Sequence, residues 1–357
     1  MGGETQGFFA KIIFQMTGDY KDFQGVLNSF SEKFITYKAV YFKKQLAKQL
    51  LPEDLNFFRD LEAFMEGGKK MRAFLVYLGF LCGGGRKVSA VLQVALGYEI
   101  LHSFFLIHDD FLDNSALRRG KETIHIKYGK RDVHFGDSIA LLWGDLAFVE
   151  ATRLFAEAGN IDVLRRYIDT TFKTGIGQVL DVSNSGKKIG FFDIQKVNDL
   201  KTANYSVISP LVIGALLANA RTSQIVAMEK FGLYAGRAFQ LQDDYLGIFG
   251  DEKILGKSVL SDMREGKNTL LIYKARELGT ALDCRVIDSL WGNSDAKMAD
   301  LEKIREIIKK SGACVWYEGE MLSIVNRAGK YVKSMTNDVE LQKVIEEMAD
   351  FIVTRAN

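Results

Sequence analysis

The sequence predicts an all-α protein, and three observations carry that expectation. Only two prolines, Pro52 and Pro210, interrupt the 357 residues, so little in the chain stops long helices. Apolar residues recur at helical spacing in segment after segment, and alternating strand patterns are nearly absent. No shift of composition marks a boundary, so one domain over residues 1–357 is the economical expectation.

Taken in order, residues 1–50 read as helices with apolar spacing and basic outer faces, such as Tyr37 to Leu51. That charge is most simply a solvated face. Residues 54–66 form the next helix and end at Gly67-Gly68; Lys69-Lys70-Met71-Arg72 then leads into an apolar helix from Ala73 to Cys82. Gly83-Gly84-Gly85-Arg86 is a loop without the Gly-Lys-Ser/Thr of a phosphate-binding P-loop. A helix over 89–113 carries His102 and an acidic end. The polar segment from Arg118 to Val133 includes His125, which has no assigned role. Helices follow from Phe135 to Phe155, over 160–182, and from Lys201 towards Ala220, with a flexible connection from Val182 to Phe192. Met228 to Ile248 is the next, and a glycine- and lysine-rich segment runs on from Asp251. Helices over 269–279, 297–310, 314–333 and 338–354 close the chain. In the last, Val344, Ile345, Met348, Phe351 and Ile352 form one core-facing stripe.

Composition excludes several classes. Hydrophobic residues are 47% and charged residues 26%, with a formal net charge of +2, so no bulk basic field points to nucleic acid. Cys82, Cys284 and Cys314 are widely spaced and in no metal-ligand pattern, which fits reduced thiols and a cytoplasmic location. No apolar run is read as long enough to span a bilayer, Leu211 to Ala220 being too short, so no stable membrane insertion is expected. Glu4 precedes Phe8-Phe9 with no basic segment ahead of them, and Gln6 breaks the myristoylation pattern.

Chemistry concentrates in two acidic stretches. The helix over 89–113 ends in Asp109, Asp110 and Asp113, and Asp109 and Asp113 at i,i+4 share one face. Their repulsion beside the apolar Phe104-Phe105-Leu106-Ile107 calls for a cation. A solvated helix end would explain this cluster alone, but Gln240-Leu241-Gln242-Asp243-Asp244 repeats the pattern on a second helix. Two such clusters facing each other can hold Mg²⁺ with a phosphate-bearing substrate. Lys69 and Arg72, three apart and read as one helical face, form a plausible diphosphate clamp. His102 lies two turns before Asp109 on nearly the same face.

Together these residues resemble the trans-isoprenyl diphosphate synthases, the prenyltransferases that include farnesyl and geranylgeranyl diphosphate synthases. The resemblance covers roughly residues 60–280, with the motifs in the family's order. They are Gly-Gly-Lys-x-x-Arg at 67–72, His102 before Asp-Asp-x-x-Asp at 109–113, Arg118-Arg119-Gly120, Gly177-Gln178 with Asp181, Lys201-Thr202, Gln240 with Asp243-Asp244, Lys257, and Asp262 with Lys267. It implies a single helical bundle of the isoprenoid synthase type with a central cavity. Its implied substrates are isopentenyl diphosphate and an allylic diphosphate, its cofactor three Mg²⁺ ions per site, and its assembly a homodimer.

Residue by residue, the resemblance implies that Lys69, Arg72, His102 and Arg119 hold the diphosphate of isopentenyl diphosphate. Asp109, Asp113 and Asp243 bind Mg²⁺, with Asp110 and Asp244 supporting nearby. Arg118, Lys201, Lys257 and Lys267 contact the allylic diphosphate. Thr202 and Gln240, with the Lys201 carbonyl, face the developing cation, and Gln178 and Asp181 line the site. Metal ions and bases stabilise the departing diphosphate, and a dry apolar cavity shields the cation from water. Two departures stand out: Gly247 replaces a frequent third aspartate, with Asp251 four residues on, and Ala73 replaces a frequent proline.

Phe104 and Phe105 lie about 6–7.5 Å deeper along the helix than Asp109. Ordinary core packing would explain them; as the floor of a cavity they would cap the growing chain. In the family, aromatics at these positions go with short products, so the fifteen-carbon farnesyl diphosphate is expected first and the twenty-carbon product second. A class I terpene cyclase would not need Gly-Gly-Lys-x-x-Arg or a second aspartate pair. A non-catalytic subunit would be expected to have lost acidic ligands, and a bare helical scaffold leaves the matched acids and bases unexplained.

Overall fold

A computed structural model describes residues 22–48, 51–86, 88–252 and 258–354. The helices expected before Asp22 lie outside the described residues. The rest is helical, with one two-stranded hairpin, Leu117–Arg118 paired to Lys121–Glu122. The helices gather into two compact units. One contains the chain up to Ile168 with Ser209–Glu229 and Lys333–Glu347; the other contains Asp169–Ile208, Lys230–Val332 and the chain from Met348.

In the first unit, Asp22 caps Phe23–Leu46 by accepting from the Gly25 N–H at 2.6 Å. Phe23, Val26, Leu27, Phe30 and Phe34 recur every three or four residues along this helix and are buried. Met71–Cys82 is apolar on every side and almost wholly buried, as an all-round hydrophobic helix must be. Buried Asp60 ties three helices together by accepting from Lys127, from the Tyr128 hydroxyl at 2.6 Å and from Trp143 Nε1 at 3.0 Å.

The second unit combines the long helical segments after Asp169 and after Lys230 with several short capped helices. Thr269 caps Leu270–Leu278, and Thr280 with Asp283 forms a capping box on Ala281–Leu290. Leu301, Ile304, Ile307 and Ile308 bury one face of Met298–Lys310. Between Asp199 and Ile208 the backbone winds as a π-helix, a rare form that recurs at functional sites.

Several expectations are corrected. Ala281–Leu290 is a helix that the periodicity missed, and the polar segment after Arg118 contains the hairpin and the helix Ile124–Gly129. Val88–Leu112 and the continuous helical stretch Phe191–Leu217 are long and apolar enough to cross a membrane, against the expectation that no segment is. In each, 72% of the apolar window is buried within the protein.

Candidate functional site

Each unit carries one half of the expected residue set. In the first, Gly67 and Gly68 have φ of 71° and 69° and Lys70 follows at 51°, a left-handed run that glycine adopts freely. The helix therefore starts only at Met71. This corrects the expectation that Lys69 and Arg72 share a helical face: Lys69 is exposed and precedes the helix. Lys70 turns inwards instead, its Nζ 3.5 Å from Glu99, which is 3% exposed.

Around this turn the bases converge. Arg119, itself left-handed at φ 52° in the hairpin turn, donates to the Glu66 carbonyl at 3.1 Å and lies over Gly68. Arg72 Nη1 donates to His102 Nε2 at 3.2 Å, so the imidazole is neutral at that nitrogen. Burial, and then Arg72, Arg119, Arg118 and Lys70, hold the His102 pKa well below its ordinary value. Four cations around one neutral histidine, over one buried carboxylate, make a receptor for an anion. Lys70 and Glu99 were missed from the sequence. Glu99, three residues before His102, offered a signal as a lone acid in an apolar helical run.

Further along the same helix stand the first aspartates. Asp109 and Asp113 are half-buried, and the Asp113 N–H donates to the Asp109 carbonyl at 2.8 Å, so the helical turn continues between them. Asp110 is 1% exposed and accepts from Arg118 Nε at 2.7 Å on both oxygens. Burial nonetheless raises its pKa, with the Arg118 bonds pulling the other way. This pair fixes the hairpin to the helix end. Phe104 lies 4.8 Å from Phe105, 4.9 Å from His108 and 5.4 Å from Phe148, ring centre to ring centre. Stacked Phe148 and Tyr167 extend that aromatic layer.

In the second unit the π-helical turn presents Lys201 and Thr202. A side chain at Gly177 would stand 2.6 Å from the Lys201 nitrogen, so the neighbouring helix reaches this turn only because residue 177 has none. Lys201 Nζ pairs with Asp181 at 2.6 Å. Thr202 donates to Gln240 Oε1 at 2.6 Å, and Gln240 Nε2 donates to Asp244 Oδ1 at 2.8 Å. The other carboxylate oxygen of Asp244 is buried and accepts no hydrogen bond. Burial first, then Asp262 and Asp243, push the Asp244 pKa up to about 8. Asp243 is half-buried beside it, as is Gln178 on the helix with Asp181. Lys267 lies 3.3 Å from Asp262 and from Glu265. Lys257 lies outside the described residues.

Among the described residues, no three His, Cys, Asp or Glu side chains are gathered closely enough to hold a metal alone. The donor set still suits a hard cation: carboxylate oxygens prevail, and Asp244 Oδ2 is buried without a hydrogen-bond donor.

The chain is similar to known proteins in both sequence and fold. The family described as polyprenyl synthetase matches residues 59–308. The chain is 34% identical to a geranylgeranyl diphosphate synthase of Saccharolobus solfataricus, over 69% of this chain and 74% of that one. It is 30% identical to a (2E,6E)-farnesyl diphosphate synthase of Mycobacterium bovis, over 81% and 80%. Among solved structures, a geranylgeranyl pyrophosphate synthase of Corynebacterium glutamicum, complexed with isoprenyl diphosphate and magnesium, superposes with a TM-score of 0.81. That match has 28% identity and covers 95% of this chain and 100% of that one.

Proposed function

This chain belongs to the polyprenyl synthetase family and is a prenyltransferase, and within that family we propose a short-chain enzyme that joins isopentenyl diphosphate to an allylic diphosphate and yields farnesyl diphosphate. The observation that carries the product length is the Phe104–Phe105 pair, braced by Phe148 one turn before the first aspartates. Rings held by other rings are a stiff floor. The geranylgeranyl reading comes second, supported by the names of relatives in Saccharolobus solfataricus and Sulfolobus acidocaldarius.

In this proposal Arg72, Arg119 and His102, with Lys69 beside them, receive the diphosphate of isopentenyl diphosphate. Asp109 and Asp113 of one unit and Asp243 of the other would hold Mg²⁺, three ions per site, with Asp110 and Asp244 in support. When bound, Mg²⁺ neutralises charge developing on the departing diphosphate. Lys201, Lys267, Arg118 and Lys257 would serve the allylic diphosphate, and Asp181 orients Lys201. Thr202, by donating to Gln240, turns the oxygen end of its hydroxyl dipole towards the allylic cation. Both units serve one prenyltransferase domain in this reading.

We further propose a homodimer and a cytoplasmic location. Leu142, Leu146 and Val149 on one helix, and Phe172, Ile176 and Val179 on the next, are exposed at helical spacing. Each set is an apolar face suited to a second copy. Sedimentation of wild type against Phe172→Glu tests the dimer, and imaging of the tagged full chain tests the location. For the activity, purified protein is incubated with Mg²⁺, labelled isopentenyl diphosphate and each allylic primer. A fifteen-carbon product is expected, and products longer than fifteen carbons in Phe104→Ala and Phe105→Ala. Unchanged chain length in both variants overturns the floor.

A further inference from the structure

Asp199 and Ile208 are the first and last of the ten residues that form the π-helix. At roughly 3.6 residues per turn the ends of such a stretch would lie about two and a half turns apart, on opposite faces. Here both ends meet one helix, Thr222–Phe249. A side chain built at Gly232 would begin 2.8 Å from the Ile208 Cα, and one built at Gly236 would begin 2.6 Å from the Ala203 Cα. Gln240, the next residue in that row, accepts from Thr202 at 2.6 Å. Asp199 holds the other end. Arg237 donates to its two carboxylate oxygens, through Nε at 2.8 Å and through Nη2 at 2.6 Å. The π-type bonding, from i to i+5, is what brings Asp199, Ala203 and Ile208 to one side.

These attachments differ in kind. At Gly232 and Gly236 backbone lies against backbone, and such surface contact sets how closely the segments approach without giving a direction. The Arg237 fork does give one, because a planar guanidinium bound at two points to a carboxylate fixes orientation as well as distance. Side chains of the pair are only 26% and 27% exposed, so water screens it less than an ion pair on the open surface. Gln195 Nε2 also reaches Asp199, at a longer 3.4 Å, and Glu320 faces Arg237 with opposite charge. Arg237 stands three residues before Gln240, and Asp199 two residues before Lys201. The ion pair therefore sits one turn from the groups that face the chemistry, on both segments at once.

We propose that Arg237 and Asp199 are positioning residues for prenyl transfer: their ion pair holds the π-helix in register against the neighbouring helix and so keeps Thr202 on Gln240 and Lys201 on Asp181. This inference rests on the prenyltransferase reading, which gives Lys201 and Thr202 their work on the allylic diphosphate. Neither Arg237 nor Asp199 touches substrate in it. Loss of the pair frees the first π-helical residue, and the lysine and threonine behind it lose their alignment. A misplacement of about 1 Å costs on the order of 100-fold in rate.

The test uses the full chain and four variants: Arg237→Gln, Asp199→Asn, the two combined, and Arg237→Lys. Hydrogen exchange of the backbone amides over 199–208 is read by mass spectrometry without substrate or metal. It is expected to be about fivefold faster in either charge deletion. Steady-state kinetics with Mg²⁺ and both substrates should show kcat lowered by at least about tenfold. KM for isopentenyl diphosphate should stay within about threefold of wild type. The combined variant should be no worse than the poorer single one, as two halves of one interaction require. Arg237→Lys keeps the charge without the fork, so it should fall between wild type and Arg237→Gln in both measurements; it also serves if the charge deletions do not fold. A wild type that makes no prenyl product counts against the prenyltransferase reading, while the exchange rates still judge the hold on the π-helix. Unchanged exchange over 199–208 in folded Arg237→Gln overturns that hold. Faster exchange with unchanged kcat overturns the positioning role. So do losses that add in the combined variant, or a KM for isopentenyl diphosphate that rises as kcat falls, since both mark a general loosening of the fold.

Discussion

Two regions of the molecule, one in each unit, are electrostatic opposites. Around His102, Lys70, Arg72, Arg118 and Arg119 surround one neutral ring, with buried Glu99 beneath. Around Asp244, by contrast, carboxylates crowd together, and one buried oxygen has no donor. Each region concentrates one kind of group, bases around His102 and carboxylates around Asp244.

The largest test of that contrast pairs two truncations. Asp243→Ala removes a carboxylate from the cation-receiving side and should lower kcat by about 10³-fold, in line with losing one group that stabilises developing charge. Arg72→Ala removes a base from the anion-receiving side and should instead raise KM for isopentenyl diphosphate by about tenfold or more, with a smaller change in kcat. Steady-state kinetics with both substrates varied separates the two; equal effects on kcat would dissolve the contrast.

A smaller effect concerns protons. With its pKa pushed up to about 8, Asp244 is largely protonated at neutral pH, so a cation bound there displaces a proton. Titration calorimetry of Mg²⁺ with diphosphate at pH 7, in two buffers of different ionisation enthalpy, should show proton release that Asp244→Asn abolishes. Because the native state holds this proton more tightly than the unfolded chain, the contribution of Asp244 to stability is greatest in acid and declines as pH rises towards 8.

The smallest effect has the opposite sign. His102 is held below its ordinary pKa, so below about pH 6.5 the unfolded chain binds a proton that the native ring refuses. Stability should therefore fall with acidification, by up to about 1.4 kcal/mol per pH unit for one proton. His102→Gln should flatten that slope in chemical denaturation measured between pH 5 and 7.

Much of this was legible in the sequence, because the acid pairs and the Gly-Gly-Lys-x-x-Arg run are local patterns. What was not legible is where side chains turn once the backbone departs from regular helix. Gly67, Gly68 and Lys70 all take left-handed backbone angles, so Lys70 rather than Lys69 reaches Glu99. No periodicity announces the π-helical turn at Lys201, whose place is set by its neighbours at Gly177 and Gly236. Ala281–Leu290 did carry a signal, the Thr280–Asp283 capping pair, but its apolar spacing is too short to stand out. Asp262 lies fifteen residues from Gly247 in sequence and meets it only in space.

The π-helical turn has one more consequence. Its wider winding accommodates an extra residue per turn, so trimming a single amino acid between Asp199 and Ile208 would let the segment relax to ordinary pitch. The shortened chain would gain backbone regularity, yet whatever follows the cut would swing by about 100° about the axis relative to what precedes it. Here a deletion that looks like an improvement in local geometry would be the lesion, carrying the lysine and threonine out of line with their partners.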